Sequence, residues 1–170
     1  MPLCKRLELS HSIEIKTTPE KIWNFLKNPE NYTIWHPQDH IKVIWTEGKP
    51  FEVGSKFYSE QRVFGKVQKY NAKIQEIIPN RKIVFTFKFP VSLISPEIEW
   101  RIEPKGSNTV FTAISYLRAG YLLKKVFKKG MNKLIEEHNR HVGEEGENLK
   151  KLLEGDWYEK RNKIWQRNKC

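Results

Sequence analysis

An α+β fold is what this sequence predicts: a curved antiparallel sheet of seven strands wrapped around one long C-terminal helix, with two short helices after the first strand. Three observations carry that expectation. Seven short stretches alternate apolar with polar residues or concentrate β-branched and aromatic ones. Six of them follow one another with only turn residues between. The one long helical pattern, about 121–154, comes after the last strand. A sheet of that size must bury one face, and only this helix is long enough to cover it.

Taken in order, "SIEIK" (12–16) sets Ile13 and Ile15 between polar partners, as a half-buried strand does. "TTPEKIWNFL" then starts a helix, with Thr18 as the cap, Pro19 at the first helical position and Glu20 in the first turn. Its apolar face is Ile22, Trp23, Phe25 and Leu26. A second short helix begins at "NPENY", capped by Asn28, and "WHP" stops it because the residue before a proline is pushed out of helical geometry. Strands follow at 40–45, 55–64, 69–77, 82–89, 97–103 and 108–117, divided by Gly48, Pro50 and Gly54, by Gly65, and by "PKGSN". The final helix has a candidate restart after Gly130.

The 170 residues suit a single domain over 1–155, followed by a basic aromatic tail over 156–170. No apolar run approaches the roughly 20 residues that span a bilayer. The start has no secretion-signal pattern, and Cys4 and Cys170 show no pairing pattern, so a cytoplasmic location is expected. The net charge of +11 is densest at 124–133 and 158–170. Neither stretch has a nucleic-acid-binding fingerprint, so nucleic acid is not an expected partner. A heavily solvated surface accounts for the charge, and under a carrier function the basic stretch 124–133 would favour weak contact with an anionic membrane. Phosphate loops, a serine nucleophile elbow and Cys-x-x-Cys pairs are all missing, which removes NTPases, α/β-hydrolases and thiol redox enzymes.

On a helical wheel Leu134, Ile135, Val142, Leu149, Leu152 and Leu153 share one arc. His138, His141 and Glu145 fall on that same arc, while Glu136, Glu137, Arg140, Glu144 and Glu147 point away. His141 and Glu145 are four apart and lie one above the other. A buried carboxylate is expensive unless it is paired or bound to a cation. His36 and His40, in "HPQDH", form the other histidine cluster. Imidazoles and carboxylates in this combination suit zinc, with iron or manganese as weaker candidates. Alternatively, His138 and His141 hydrogen-bond to cavity acids or water, and Glu145 pairs with Arg62 or Arg101. His36 and Asp39 would orient the loop or support His40 from behind. Trp23, Tyr32, Trp35, Tyr58, Phe85, Phe87 and Trp100 either line a ligand cavity or fill the core, since both need inward positions.

"IEIKTTPEKIWNFLKNPENYTIWHP", "GKPFEVGSKFY" and "EIEWRIEPKGSNTVFTAISY" resemble the helix-grip superfamily, which includes START domains, birch-pollen-allergen proteins and polyketide cyclases. The resemblance spans about 11–154 and implies a cavity for a hydrophobic small molecule between sheet and helix. "YTIWHPQDH" with "HVGEE" further resembles the zinc-dependent diacetylphloroglucinol hydrolases, which cleave a carbon–carbon bond beside an aromatic ketone. That likeness implies His40, Glu60, His141 and Glu145 as metal ligands and Tyr32 as a substrate contact. It alone selects Glu60, because Phe57 and Tyr58 compete for the inward side of their strand. Those enzymes are longer and use a further strand histidine, whereas this chain has no histidine between 41 and 137. The resemblance therefore implies a shared metal site rather than the same reaction.

Two functions follow. One is a zinc-dependent enzyme acting on an aromatic or polyketide-like ketone with metal-activated water, Tyr32 or His138 managing protons. The other is a non-catalytic carrier or sensor of a lipid or other hydrophobic ligand.

Overall fold

The local signals around residue 18 work as their chemistry requires. In the computed structural model, which describes residues 6–118 and 128–155, the Thr18 side chain accepts a hydrogen bond from the Lys21 backbone N–H. Pro19 opens helix α1 (Pro19–Lys27), which buries Ile22, Trp23, Phe25 and Leu26. Asn28 Oδ1 accepts from the Glu30 N–H at 3.0 Å, starting α2 (Glu30–Trp35), and α2 ends at His36, before Pro37.

Seven strands make one antiparallel sheet: β1 (Arg6–Ile15), β2 (His40–Glu47), β3 (Lys56–Val63), β4 (Lys66–Ile78), β5 (Lys82–Phe87), β6 (Glu97–Lys105) and β7 (Asn108–Arg118), in the order β1-β7-β6-β5-β4-β3-β2. Strand β1 runs six residues further towards the N-terminus than its alternation marks, because pairing with β7 continues unbroken to Arg6↔Arg118. Strand β5 stops at Phe87, two residues short of its apolar run, where the chain turns out into a single 3-10 turn (Val91–Leu93).

Helix α3 (Lys128–Glu154) lies on β1. Its Gly143 and Gly146 let it come close there. A Cβ at position 146 would sit 3.4 Å from both His11 and Ile13. The described helix passes through Gly130 without a restart. The expected residues 121–127 of this helix, and the tail 156–170, lie outside the described residues. Among the described residues no helix is long and apolar enough to cross a membrane.

The core joins Ile13, Ile15, Phe25, Trp35, Phe111 and Leu149 between the two layers. Because α3 presses on the β1 side, the concave face of β3–β6 is left standing away from it. A cavity of about 440 Å³ fills that gap.

Candidate functional site

The turn 36–40 is wound around one carbonyl: both the Asp39 and His40 N–H groups donate to His36 O, at 3.1 and 2.8 Å. Strand β3 pins it from the other side through Arg62 N–H to Asp39 O (2.8 Å) and Arg62 Nη1 to Gln38 O (2.8 Å). His40 therefore enters β2 with its ring directed into the cavity, stacked on Tyr32 with centroids 4.0 Å apart.

Three polar groups converge there. His40 Nε2 is 2.7 Å from Glu145 Oε1, and His141 Nε2 is 3.5 Å from the same oxygen. The far nitrogens are held as well. His40 Nδ1 lies 2.8 Å from Tyr32 O and must carry hydrogen, because a carbonyl only accepts. His141 Nδ1 lies 2.9 Å from Asp39 Oδ2. Asp39 in turn accepts from Arg140 Nη2 at 2.8 Å. Trp35 Nε1 donates to Glu145 O at 2.8 Å and locks α2 to α3.

One ligand atom from each of His40, His141 and Glu145 lies within 4.8 Å of the others, as is also true of His36, Asp39 and His141. The first trio fits a divalent metal better. Its two Nε2 atoms face the cavity while a carbonyl and a carboxylate orient the rings from behind, the usual support of a metal-bound imidazole. In the second trio Asp39 is already engaged by the Arg140 guanidinium, whose charge opposes a cation there.

Burial alone would push the Glu145 carboxyl up; hydrogen bonds from His141 and His40, and their charges, outweigh it and hold the group far below the carboxylate range. Burial works to lower His141, yet the bond and charge of Glu145, with Asp39 behind it, raise it to about 9. Asp39 is lowered: Arg140 and His141 overcome its desolvation. His36 is lowered by burial against its hydrogen bond to Glu144.

These directions fix a pH response for the metal-free protein. The raised His141 contributes stability that is full below its ordinary 6.5 and is lost as pH rises through about 9. The depressed Glu145 and Asp39 contribute stability that is present above their ordinary 4.5 and 3.8 and is lost as pH falls towards their folded values. Melting temperature should therefore peak between these limbs and decline towards pH 9. His141→Gln should flatten the alkaline limb, which is worth up to about 3 kcal/mol. An alkaline limb of equal depth in that variant would contradict the assignment.

The other expected residues divide. Tyr32, Trp35, Phe85, Phe87, Trp100 and His138 line the cavity with His40, His141 and Glu145. Glu60 does not, and this corrects its place as a ligand: it accepts from the Tyr58 hydroxyl on the opposite face of β3, while Phe57, Ser59 and Gln61 point in. Tyr58 is corrected with it, on the same parity. Trp23 is core, packed edge-on against Phe51 and not lining the cavity. Asp39 supports His141 rather than His40. Glu144, expected to face solvent freely, meets His36 Nε2 at 3.0 Å and Arg140 Nη1 at 2.6 Å. Arg140 itself was hidden by its outward wheel position; its spacing to Glu137 and Glu144, three back and four on, was the available signal.

Burial, helped by the charge of Glu145, pushes the Tyr32 phenol well above its ordinary value, and its hydroxyl bonds Ser59. Tyr70, hydrogen-bonded to Gln61, is pushed up to about 12 by burial. Both remain protonated donors. Burial lowers His138, so it stays neutral, able to donate from one nitrogen and accept at the other.

The family model for "Polyketide cyclase / dehydrase and lipid transport" matches residues 6–154. The chain belongs to this family. No curated protein matches the sequence significantly. Among solved structures, the polyketide cyclase family chain is similar to the Zhui aromatase/cyclase from Streptomyces sp. R1128, at 14% identity over 89% of this chain and 96% of that one, TM-score 0.70. It is also similar to protein NE0264 from Nitrosomonas europaea, at 19% identity over 86% and 94%, TM-score 0.61. A third likeness is to the Aha1 dimer from Colwellia psychrerythraea, at 20% identity over 87% and 96%, TM-score 0.51. At such identities these likenesses establish the helix-grip fold, and the family description places polyketides and lipids among its small-molecule ligands.

Proposed function

We propose that this polyketide cyclase family protein is a divalent-metal enzyme, with zinc the best-matched metal, acting on an aromatic or polyketide-like ketone. The observation that carries the reading is the convergence of His40 Nε2, His141 Nε2 and Glu145 Oε1 on one wall of an aromatic cavity, each ring oriented from behind. His40, His141 and Glu145 would hold the metal, leaving a position for substrate or water. A bound zinc supplies Lewis-acid polarisation of a carbonyl oxygen. Everything else falls to the chain. Trp35, Phe85 and Trp100 form an edge-to-face cluster that packs a flat ring, with centroids 5.2 Å and 4.7 Å apart. Tyr32 offers a protonated hydroxyl, and His138 a neutral imidazole that can take or return a proton.

The test is metal analysis of protein purified without an affinity tag. One zinc per chain is expected, with a fall in melting temperature on chelation and recovery on adding zinc. Protein that carries no metal, and whose stability and histidine NMR signals ignore a zinc titration, would overturn the reading.

A second reading, a non-catalytic carrier of a hydrophobic ligand, draws on one observation: one oxygen of Glu145 already has two histidine partners without a metal. It expects the cavity to retain an apolar ligand through chelation, which native mass spectrometry would show.

A further inference from the structure

Five of the eight large apolar side chains exposed among the described residues sit in two segments: Phe64 and Val67, and Phe89, Leu93 and Ile94. Both segments lie at the same end of the sheet. Strand β4 pairs with β5 through Ala72↔Phe87, and Lys88 N–H reaches Asn71 O, so the β3–β4 turn and the β5–β6 connection project past the last paired residues together. They also share the cavity: Val63, Phe64 and Gln68 line it from one segment, Val91, Ile94 and Ser95 from the other. Phe64 and Ile94 thus reach from this exposed end into the cavity wall, with Val67, Phe89 and Leu93 in the same two segments.

The backbone holds one tip out at a cost. Val63↔Lys66 leaves a two-residue turn, Phe64–Gly65, with φ of 53° and 71°. Such turns favour Asn, Asp or Gly at the first position, whereas a bulky aromatic is strained in left-handed geometry. Phe64 is kept there by its N–H bond to Glu137 Oε1 at 3.2 Å and by Lys133 Nζ, 5.7 Å above its ring. Phe89 is the most open, at 76% exposure.

Charge marks the partner. Arg62, Lys66 and Lys69 flank the β3–β4 turn, Lys88 follows β5 and Lys133 lies over the Phe64 ring, against two acids at this end: Glu137, which is paired with Arg140, and Glu60, which lies opposite Lys69. Apolar tips inside a cationic collar match an interface with hydrocarbon below and anionic headgroups above. An acidic protein or nucleic acid would use the lysines and leave Phe89 and Leu93 without a function. We infer that this end of the sheet docks on an anionic lipid bilayer, Phe64, Phe89 and Leu93 entering the headgroup boundary while Lys66 and Lys88 meet lipid headgroups. This goes beyond the metal reading and requires no metal.

Full-length protein should co-sediment with vesicles of equal parts phosphatidylcholine and phosphatidylserine and not with phosphatidylcholine alone. Phe89→Ser with Leu93→Ser should weaken binding about tenfold or more. Lys66→Glu with Lys88→Glu should weaken it about as much. Val53 and Lys49 lie in the β2–β3 connection at the opposite end of the sheet and are exposed. Val53→Ser and Lys49→Glu should leave binding within about twofold of the parent. Phe89→Trp should show blue-shifted fluorescence quenched by brominated acyl chains, and Val53→Trp should not. Three outcomes overturn the proposal: no binding to anionic vesicles, equal losses from Lys49→Glu and Lys66→Glu with Lys88→Glu, or a Phe89/Leu93 variant that binds as the parent does. The last two would indicate diffuse attraction to polyanions.

Discussion

Glu145→Ala is expected to eliminate stoichiometric zinc and to destabilise the metal-free protein by about 3–5 kcal/mol. Glu145 is 8% exposed and takes contacts from both histidines at one oxygen, so its removal leaves two imidazoles facing each other across an apolar cavity. That is the costly way to break a buried ion pair, because the surviving partners lose their counter-charge and cannot regain water. Against a typical domain stability of about 5–15 kcal/mol the loss is large. The controls follow from the geometry. Glu60→Gln should leave metal content unchanged, since Glu60 serves Tyr58 on the outer face. His11→Ala should do the same, because His11 packs on Gly143 and Gly146 away from the trio. Glu144→Gln should retain metal but disturb the His36 and Arg140 contacts. Chemical denaturation and elemental analysis decide the matter. A Glu145→Ala protein that keeps its zinc removes the carboxylate from the site, whatever else remains.

The reach of the sequence can be read from particular strands. Strand β6 was legible because Ile98, Trp100 and Ile102 alternate with charged residues, leaving one choice of inward face. Strand β3 was not. In "KFYSEQ", Phe57 and Tyr58 are neighbours of similar bulk, and a one-residue change of parity exchanges every side chain between faces. The decision is tertiary: Phe57 packs edge-on against Phe85 and against Trp45, which turns Ser59 and Gln61 inward and sends Glu60 out. The four-residue spacing of His141 and Glu145 put both on the inward arc of the helix, whereas "HPQDH" offered His36 and His40 alike and only the family resemblance chose His40. Arg140 was not legible, because a wheel places Cβ atoms and a guanidinium reaches well beyond its own Cβ. Its head spans Glu137, Glu144 and, across the inter-element gap, Asp39. Similarly, Trp23 and Trp35 have equal claims as cavity aromatics in sequence. Only the packing of α1 on Phe51, and of α2 on α3, makes one of them core and the other a wall.

Trp35→Ala should be the most damaging apolar substitution near the site, with a loss of about 3–5 kcal/mol. Trp35 is 2% exposed and joins three layers at once. Its ring meets Trp100 and Phe111 on the sheet, at 5.2 and 6.1 Å between centroids, and meets the His40 ring edge-on at 5.7 Å. Its indole N–H bonds the Glu145 carbonyl of α3. Truncation removes a large buried area and also the one indole bond that holds α2 against the helix turn carrying Glu145. Trp35→Phe keeps most of the packing and loses the bond, so it should cost only about 1–2 kcal/mol. Because the residue borders the cavity, truncation enlarges a space that already admits ligands, and added indole should recover part of the lost melting temperature by binding the folded state alone. Zinc affinity should weaken in the order parent, Trp35→Phe, Trp35→Ala, following how firmly Glu145 is held. If Trp35→Phe were as unstable as Trp35→Ala, the indole bond rather than the packing would be the dominant contribution. If both variants melted with the parent, Trp35 would not be the link between α2, the sheet and the turn that carries Glu145.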